Sequence, residues 1–132
     1  MRKIAIVLAA GAALLAGPAL QAREHLTGEQ QLAKLLEGRV AEKPVSCIPL
    51  ARSSDARIID KTAIVYDTGR VIYVNRPNNA ESLDSDDVMV TTLHTGELCR
   101  LDTVRLHERS QFFYDGFVGL NDFVPYRKVT RD

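Results

Sequence analysis

Tryptophan is missing from this 132-residue chain, and phenylalanine and tyrosine contribute only four residues each. With so few large aromatic groups, the hydrophobic core has to be small. A surplus of one charge is missing too. The 17 Lys and Arg residues balance 17 Asp and Glu, and the basic ones are scattered rather than clustered. A nucleic-acid partner requires a concentrated basic surface, so that class of function is set aside. There is no internal repeat, no low-complexity stretch and no Gly-x-Ser-x-Gly elbow among Ser46, Ser53, Ser54, Ser82, Ser85 and Ser110. Nucleophilic serine chemistry therefore has no sequence signature here.

Long hydrophobic runs are confined to the first residues. Arg2 and Lys3 precede a small, apolar run over residues 4–16, which Gly17 and Pro18 follow. That order is the pattern of a secretory signal peptide. The run falls short of the roughly 20 apolar residues of a membrane-spanning helix, and Gly17-Pro18 breaks the helix where a span would continue, so no permanent anchor is expected. Cleavage is expected after Ala22, with Ala19 as the alternative because Leu20 is large for the third position back. Neither site precedes a Cys, which argues against a lipid-modified terminus. The mature chain of about 110 residues amounts to one domain, expected in the periplasm or secreted, with two more acidic than basic residues.

Only two cysteines are present, Cys47 and Cys99. An even number in an exported chain points to pairing in an oxidising compartment. The loop so closed would contribute roughly 4 kcal/mol in the chain-entropy model. Two buried free thiols too far apart to bond are the alternative.

Thr27 is placed to cap a helix, with Gln30 at capping-box spacing, Leu32, Leu35 and Leu36 at helical intervals and Gly38 as the stop. The helix is expected over residues 28–37, packing its leucines on a sheet. From Pro44 onward, short runs rich in Val, Ile, Thr and Tyr alternate with turn residues, a β pattern. Strands are expected at 45–50, 57–59, 62–66, 70–75, 88–94, 98–106 and 118–124. A four-residue loop over 67–70 would set Tyr66 opposite Val71, and leaves Ala63, Val65, Ile72 and Val74 on the other face. Both faces of that hairpin are apolar, so each needs a cover. The fold class is therefore mainly β (α+β): a small antiparallel sandwich or barrel-like domain with one short N-terminal helix. Its expected organisation is signal peptide (1–22), helix and linker (23–43), β-rich domain (44–126) and frayed tail (127–132).

Along this β-rich stretch, Cys47-Ile48-x-Leu50, Arg57-Ile58-Ile59-Asp60, Ala63-Ile64-Val65-Tyr66, Tyr73, Leu83, Leu98-Cys99-x-x-Asp102 and Phe123-Val124-Pro125 stand out. In these residues the chain resembles a family of small exported Gram-negative proteins of unknown function. The resemblance covers most of the chain after Pro44 and implies no activity, cofactor or catalytic residue.

Candidate chemistry is sparse. Asp84-Ser85-Asp86-Asp87 begins like a calcium loop, but Met89 stands where such a loop has Gly and Thr95 where it has Glu. A solvated turn is the better reading. His25, His94 and His107 lie at no metal-ligand spacing to one another or to the cysteines. A Cys99 nucleophile paired with His94 or His107 requires a free thiol, which a disulfide removes. Asp102, inside an apolar alternation from Leu98 to Leu106, is expected to accept hydrogen bonds or pair with an Arg. Phe112, Phe113, Tyr114 and Phe117, with Phe123 and Tyr126, are either a ligand or partner surface or part of the core. No catalytic, cofactor or metal site is therefore assigned. The expected function is that of a non-catalytic periplasmic or envelope protein, structural or binding an envelope component through loops or the aromatic segment. The alternative is a small enzyme or metal-dependent protein using Asp102, His94 and the 84–87 loop.

Overall fold

A computed structural model of the protein describes residues 25–50 and 55–130. The expected signal peptide and its cleavage site lie outside the described residues. The helix α1 (Gly28–Leu35) starts where the capping box places it. The Thr27 hydroxyl accepts from the Gln30 amide at 3.2 Å, and Gln30 Oε1 accepts from the Thr27 amide at 2.8 Å. Gly28 is needed at this point, because a Cβ there would fall 1.9 Å from Thr62 Oγ1 and 2.6 Å from the Asp60 carbonyl oxygen. The helix thus begins packed closely against the turn that links residues 59 and 63. It ends two residues earlier than expected, with Leu36 as its C-cap.

Ten strands follow among the described residues, all paired antiparallel: β1 (Arg39–Ala41), β2 (Cys47–Pro49), β3 (Asp55–Ile59), β4 (Ala63–Asp67), β5 (Val71–Asn75), β6 (Asp87–Thr91), β7 (Glu97–Cys99), β8 (Thr103–Glu108), β9 (Tyr114–Gly119) and β10 (Phe123–Lys128). They form a main sheet in the order β1-β10-β5-β4-β3, a ribbon β2-β7 and a small sheet β6-β8-β9. This is a mainly β, α+β fold with one short helix, built as a layered sandwich of open sheets. Two expected boundaries move. β1 lies within the segment expected as linker, and its partner β10 extends to Lys128, into the expected tail.

The β4–β5 hairpin explains the layering. Its loop is tighter than the four residues expected: the Thr68 amide and hydroxyl both donate to the Val71 carbonyl, at 3.0 and 2.8 Å, leaving Gly69-Arg70 as the turn. Gly69 takes φ 87°, which glycine adopts without steric cost, and the Asp67 carboxylate accepts from its amide. Tyr66 consequently faces Tyr73, not Val71. The register moves by two residues, so every side chain keeps its expected face. On one face Ala63, Val65, Ile72 and Val74 cluster with Ile59 and the helix residue Leu32. On the other, Ile58, Ile64, Tyr66 and Phe123 pack against Ile48 and Leu98 of the ribbon and Val104, Leu106 and Val118 of the small sheet.

Two expected strands each prove to be two. The run 98–106 breaks between β7 and β8, because Leu101 turns the backbone to φ 74° and Asp102 Oδ2 accepts from the Cys99 amide at 2.7 Å. That local bond redirects the chain from the ribbon into the small sheet. β7 pairs with β2 and β6 with β8, so Thr95-Gly96-Glu97 does not turn a hairpin. The run 118–124 likewise breaks between β9 and β10. Buried Asn75 holds the crossing, donating to the Asn121 carbonyl at 2.7 Å and accepting from its amide at 3.1 Å.

Candidate functional site

The cysteines are resolved first by the ribbon. Cys47 and Cys99 are directly opposed partners in the β2–β7 pair and are joined as a disulfide. With Glu97 they are the one group of three metal-capable residues found close together among the described residues, and both sulfurs are already bonded to each other. Neither is available as a nucleophile or as a thiolate ligand.

The small sheet carries the aromatic segment. Along β8, Val104 and Leu106 turn inward, whereas Arg105 and His107 take the outer face, where Phe117 lies opposite Arg105 and Tyr114 opposite His107. Phe112 stacks on the His107 ring at a centroid distance of 4.4 Å, and Tyr114 meets it edge-on at 5.8 Å. Phe112, Phe113, Tyr114 and Phe117 are 56, 66, 59 and 54 % exposed, whereas Phe123 is fully buried. The segment is therefore surface, not core. Its presentation is fixed by Glu108, whose carboxylate accepts from the Ser110 hydroxyl and amide and from the Gln111 amide. The Ser110 hydroxyl contributes most to holding the Glu108 carboxyl below its ordinary pKa. Behind this face, the Asn79 side chain donates to the Phe117 carbonyl and accepts from the Gly119 amide, covering part of the β9 edge. Arg105 makes no ion pair among the described residues.

His94 and Asp102 do come together, lining a shallow cleft of about 310 Å³ with Thr92, Leu101, Thr103 and Arg105. The Asp102 carboxylate, however, is engaged by the Cys99 amide and serves the turn. The third element of the enzyme alternative, the 84–87 loop, lies elsewhere and is organised by its own bonds. Asp84 Oδ1 accepts from the Asp86 amide, the Asp84 carbonyl from the Asp87 amide, and Asp60 Oδ1 from the Ser85 amide. His25 is exposed just ahead of α1, and His107 belongs to the aromatic stack.

One feature escaped the sequence. A cleft of about 550 Å³ opens between the edge of the main sheet and β6, lined in part by Leu50, Ile58, Tyr66, Asp87 and Met89. Tyr66 is 3 % exposed and Asp87 8 %, yet the Tyr66 hydroxyl and Asp87 Oδ2 are both buried without a hydrogen-bond partner among the described residues. Burial pushes the Tyr66 phenol well above its ordinary pKa. Burial first, then repulsion by Asp115, Asp84, Glu108 and Asp86, raises the Asp87 carboxyl. In sequence, Tyr66 reads as one more apolar strand residue and Asp87 as the end of a solvated run. The available signal was parity, since Asp87 shares its strand face with inward Met89. Comparison with protein-family models, curated proteins and solved structures finds no match to this chain.

Proposed function

We propose that this is an exported, non-catalytic envelope protein that binds through the outer face of its small sheet. The observation that carries the reading is the outward placement of Phe112, Phe113 and Phe117, three of the chain's four phenylalanines, beside exposed Tyr114. Apolar surface gathered in one hairpin is costly in water and is the usual mark of a contact site. Arg105, opposite Phe117 and without an ion pair among the described residues, gives the face a positive margin. The chemistry that fits is an apolar surface bordered by an acidic group. Export is supported by the signal-like first residues and by the disulfide, since such bonds persist in oxidising compartments. The resemblance to small exported Gram-negative proteins agrees with it. No described helix is long and apolar enough to cross a membrane.

The test is cosedimentation of the oxidised protein with a Gram-negative envelope fraction. The triple variant Phe112→Ser, Phe113→Ser, Phe117→Ser should lose about tenfold or more in binding, and Arg105→Glu should weaken it and its salt sensitivity together. Wild-type and triple-variant protein sedimenting equally would overturn the reading. Unchanged circular dichroism of the variants separates loss of contact from loss of fold.

A further inference from the structure

The two edges of the small sheet are finished differently. Along β9, the Asn79 side chain closes the edge away from β8, donating to the Phe117 carbonyl at 2.8 Å and accepting from the Gly119 amide at 3.1 Å. β6, at the other edge, pairs with β8 alone. Among the described residues, no backbone group of residues 88–91 bonds to anything outside that ladder. A sheet edge is normally blunted by a charged side chain, a proline or a bulge, or it is covered. Val88-Met89-Val90-Thr91 carries no charge and no proline, and its register with β8 is unbroken.

Alternation decides which backbone groups are open. In an antiparallel ladder each residue directs its N–H and C=O to one side, and the next residue to the other. Phe117 and Gly119 direct theirs to Asn79, away from β8, so their partners Arg105 and Thr103 direct theirs to β6. Arg105 therefore bonds Val90, and His107 bonds Val88. Met89 and Thr91 are left with both groups outward, and Asp87 with its C=O, because its amide turns to the Asp84 carbonyl at 3.1 Å. These groups border the cleft of about 550 Å³, whose far wall is β3, itself paired only with β4. Inside the cleft, Leu50 and Met89 pack against the core beside Ile58. Arg57 and Arg109 also line it; both are exposed and neither makes an ion pair among the described residues, whereas the Asp87 side chain is buried. The Arg109 Nε donates to the Asp86 carbonyl at 3.1 Å, which fixes this guanidinium at the Asp87 end of the strand.

We infer that the open edge of β6 binds an extended peptide segment of a partner protein as a fourth, antiparallel strand of the small sheet. Only another extended backbone offers N–H and C=O groups at the spacing that Asp87, Met89 and Thr91 present. The residue opposite Met89 shares its face, so an apolar side chain there enters the cleft beside Leu50 and Ile58. An acidic residue three positions further along the peptide comes level with Asp86 and reaches Arg109. The site lies on the edge of the small sheet opposite β9, and neither it nor the aromatic face depends on the other.

The probe is the acetylated, amidated peptide Val-Thr-Leu-Thr-Thr-Glu, its leucine designed to lie opposite Met89, titrated into the disulfide-bonded protein and followed by backbone amide shifts. The Met89 and Thr91 amides should shift saturably. N-methylation of the leucine removes an N–H that faces β6 and should lower affinity about tenfold or more, whereas N-methylation of the next threonine, whose N–H faces away, should change it less than about threefold. Exchanging the glutamate for lysine should weaken binding about threefold or more. Thr91→Pro deletes one outward N–H without touching the β8 ladder and should also weaken binding. Phe117→Ser should bind the peptide as the wild type does, so failure of the envelope-binding reading remains distinguishable from failure of this one. Equal loss from the two N-methylated peptides, or none from either, would overturn strand addition. So would the absence of shifts at Met89 and Thr91, undiminished binding of the lysine peptide, or a dimer of this chain that holds the edge closed against the peptide. These outcomes are read on the wild type, so they stand even if a variant does not fold.

Discussion

The main sheet and the small sheet both carry apolar side chains on their two faces, yet only the main sheet has both faces covered. Its helix-side face meets Leu32, and its inner face meets the ribbon and the small sheet. The small sheet buries Val104, Leu106 and Val118 inward and leaves Phe117 and Tyr114 outward. The residue types differ as the coverage does. The covered hairpin is built from Ile, Val and Ala with one tyrosine on each strand and a polar residue, Asp67 or Asn75, at each strand's end, whereas the uncovered face is aromatic and bordered by Arg105 and His107. Branched aliphatic side chains fill an interior closely, while rigid aromatic rings offer contact area at little entropic cost. Two-faced apolarity thus has two outcomes in one chain, burial in one sheet and exposure in the other.

The largest expected effect tests this difference directly. Phe123→Ala, in the core, should cost about 3–5 kcal/mol, whereas Phe117→Ala should stay within about 0.5 kcal/mol of the wild type. Urea denaturation midpoints measure both. If Phe117→Ala destabilised the protein as Phe123→Ala does, the outer face would belong to the fold and the comparison would collapse.

The ribbon stands between the two sheets and sharpens the comparison. Ile48 and Leu98, 1 % and 0 % exposed, feed the same core as both sheets, and the disulfide closes a separation of 52 residues that includes β3 to β6. Replacing both cysteines by Ala should lower stability by roughly 4 kcal/mol in the chain-entropy model, a large share of an ordinary domain's 5–15 kcal/mol. A loss under about 1 kcal/mol would mean that burial of Ile48 and Leu98 alone secures the ribbon.

What could be read in the sequence was local or periodic. The capping box, the leucine stripe and the two faces of the β4–β5 hairpin follow from spacings of three, four and two. The cysteine pairing followed from number and from the expected compartment. The breaks at Leu101 and Asn121 could not be read this way, because neither position is itself a Gly or Pro. One depends on a leucine in left-handed backbone conformation and a carboxylate bonded three residues back, the other on an asparagine 46 positions away. The cleft was hidden for a related reason. Whether the Tyr66 hydroxyl or Asp87 Oδ2 finds a partner is decided by what the other strands place beside it, and a pattern of alternation carries no such information.

The smallest expected effect contrasts the two outer layers through their carboxylates. On the helix layer, hydrogen bonds from Arg76 at 2.5 and 3.0 Å hold the Glu29 carboxyl below its ordinary 4.5. On the small sheet, burial lifts the Asp87 carboxyl above its ordinary 3.8. The signs are opposite. The Glu29 contribution is present above the ordinary glutamate value and lost as pH falls through its lowered folded value. The Asp87 contribution is present below the ordinary aspartate value and lost as pH rises through its raised folded value. At neutral pH, Glu29→Gln should therefore cost stability and Asp87→Asn should add it, and in strong acid the electrostatic part of both differences should vanish. Because the Glu29–Arg76 pair is exposed and screened by water, its share should stay within about 0.5 kcal/mol. Denaturation midpoints of wild type and both variants across the carboxylate range measure the two curves. If Asp87→Asn were less stable than wild type at neutral pH, the carboxylate would have a stabilising partner that the orphaned Oδ2 does not show, and the small sheet would lose its distinction as the layer carrying an unmet polar group.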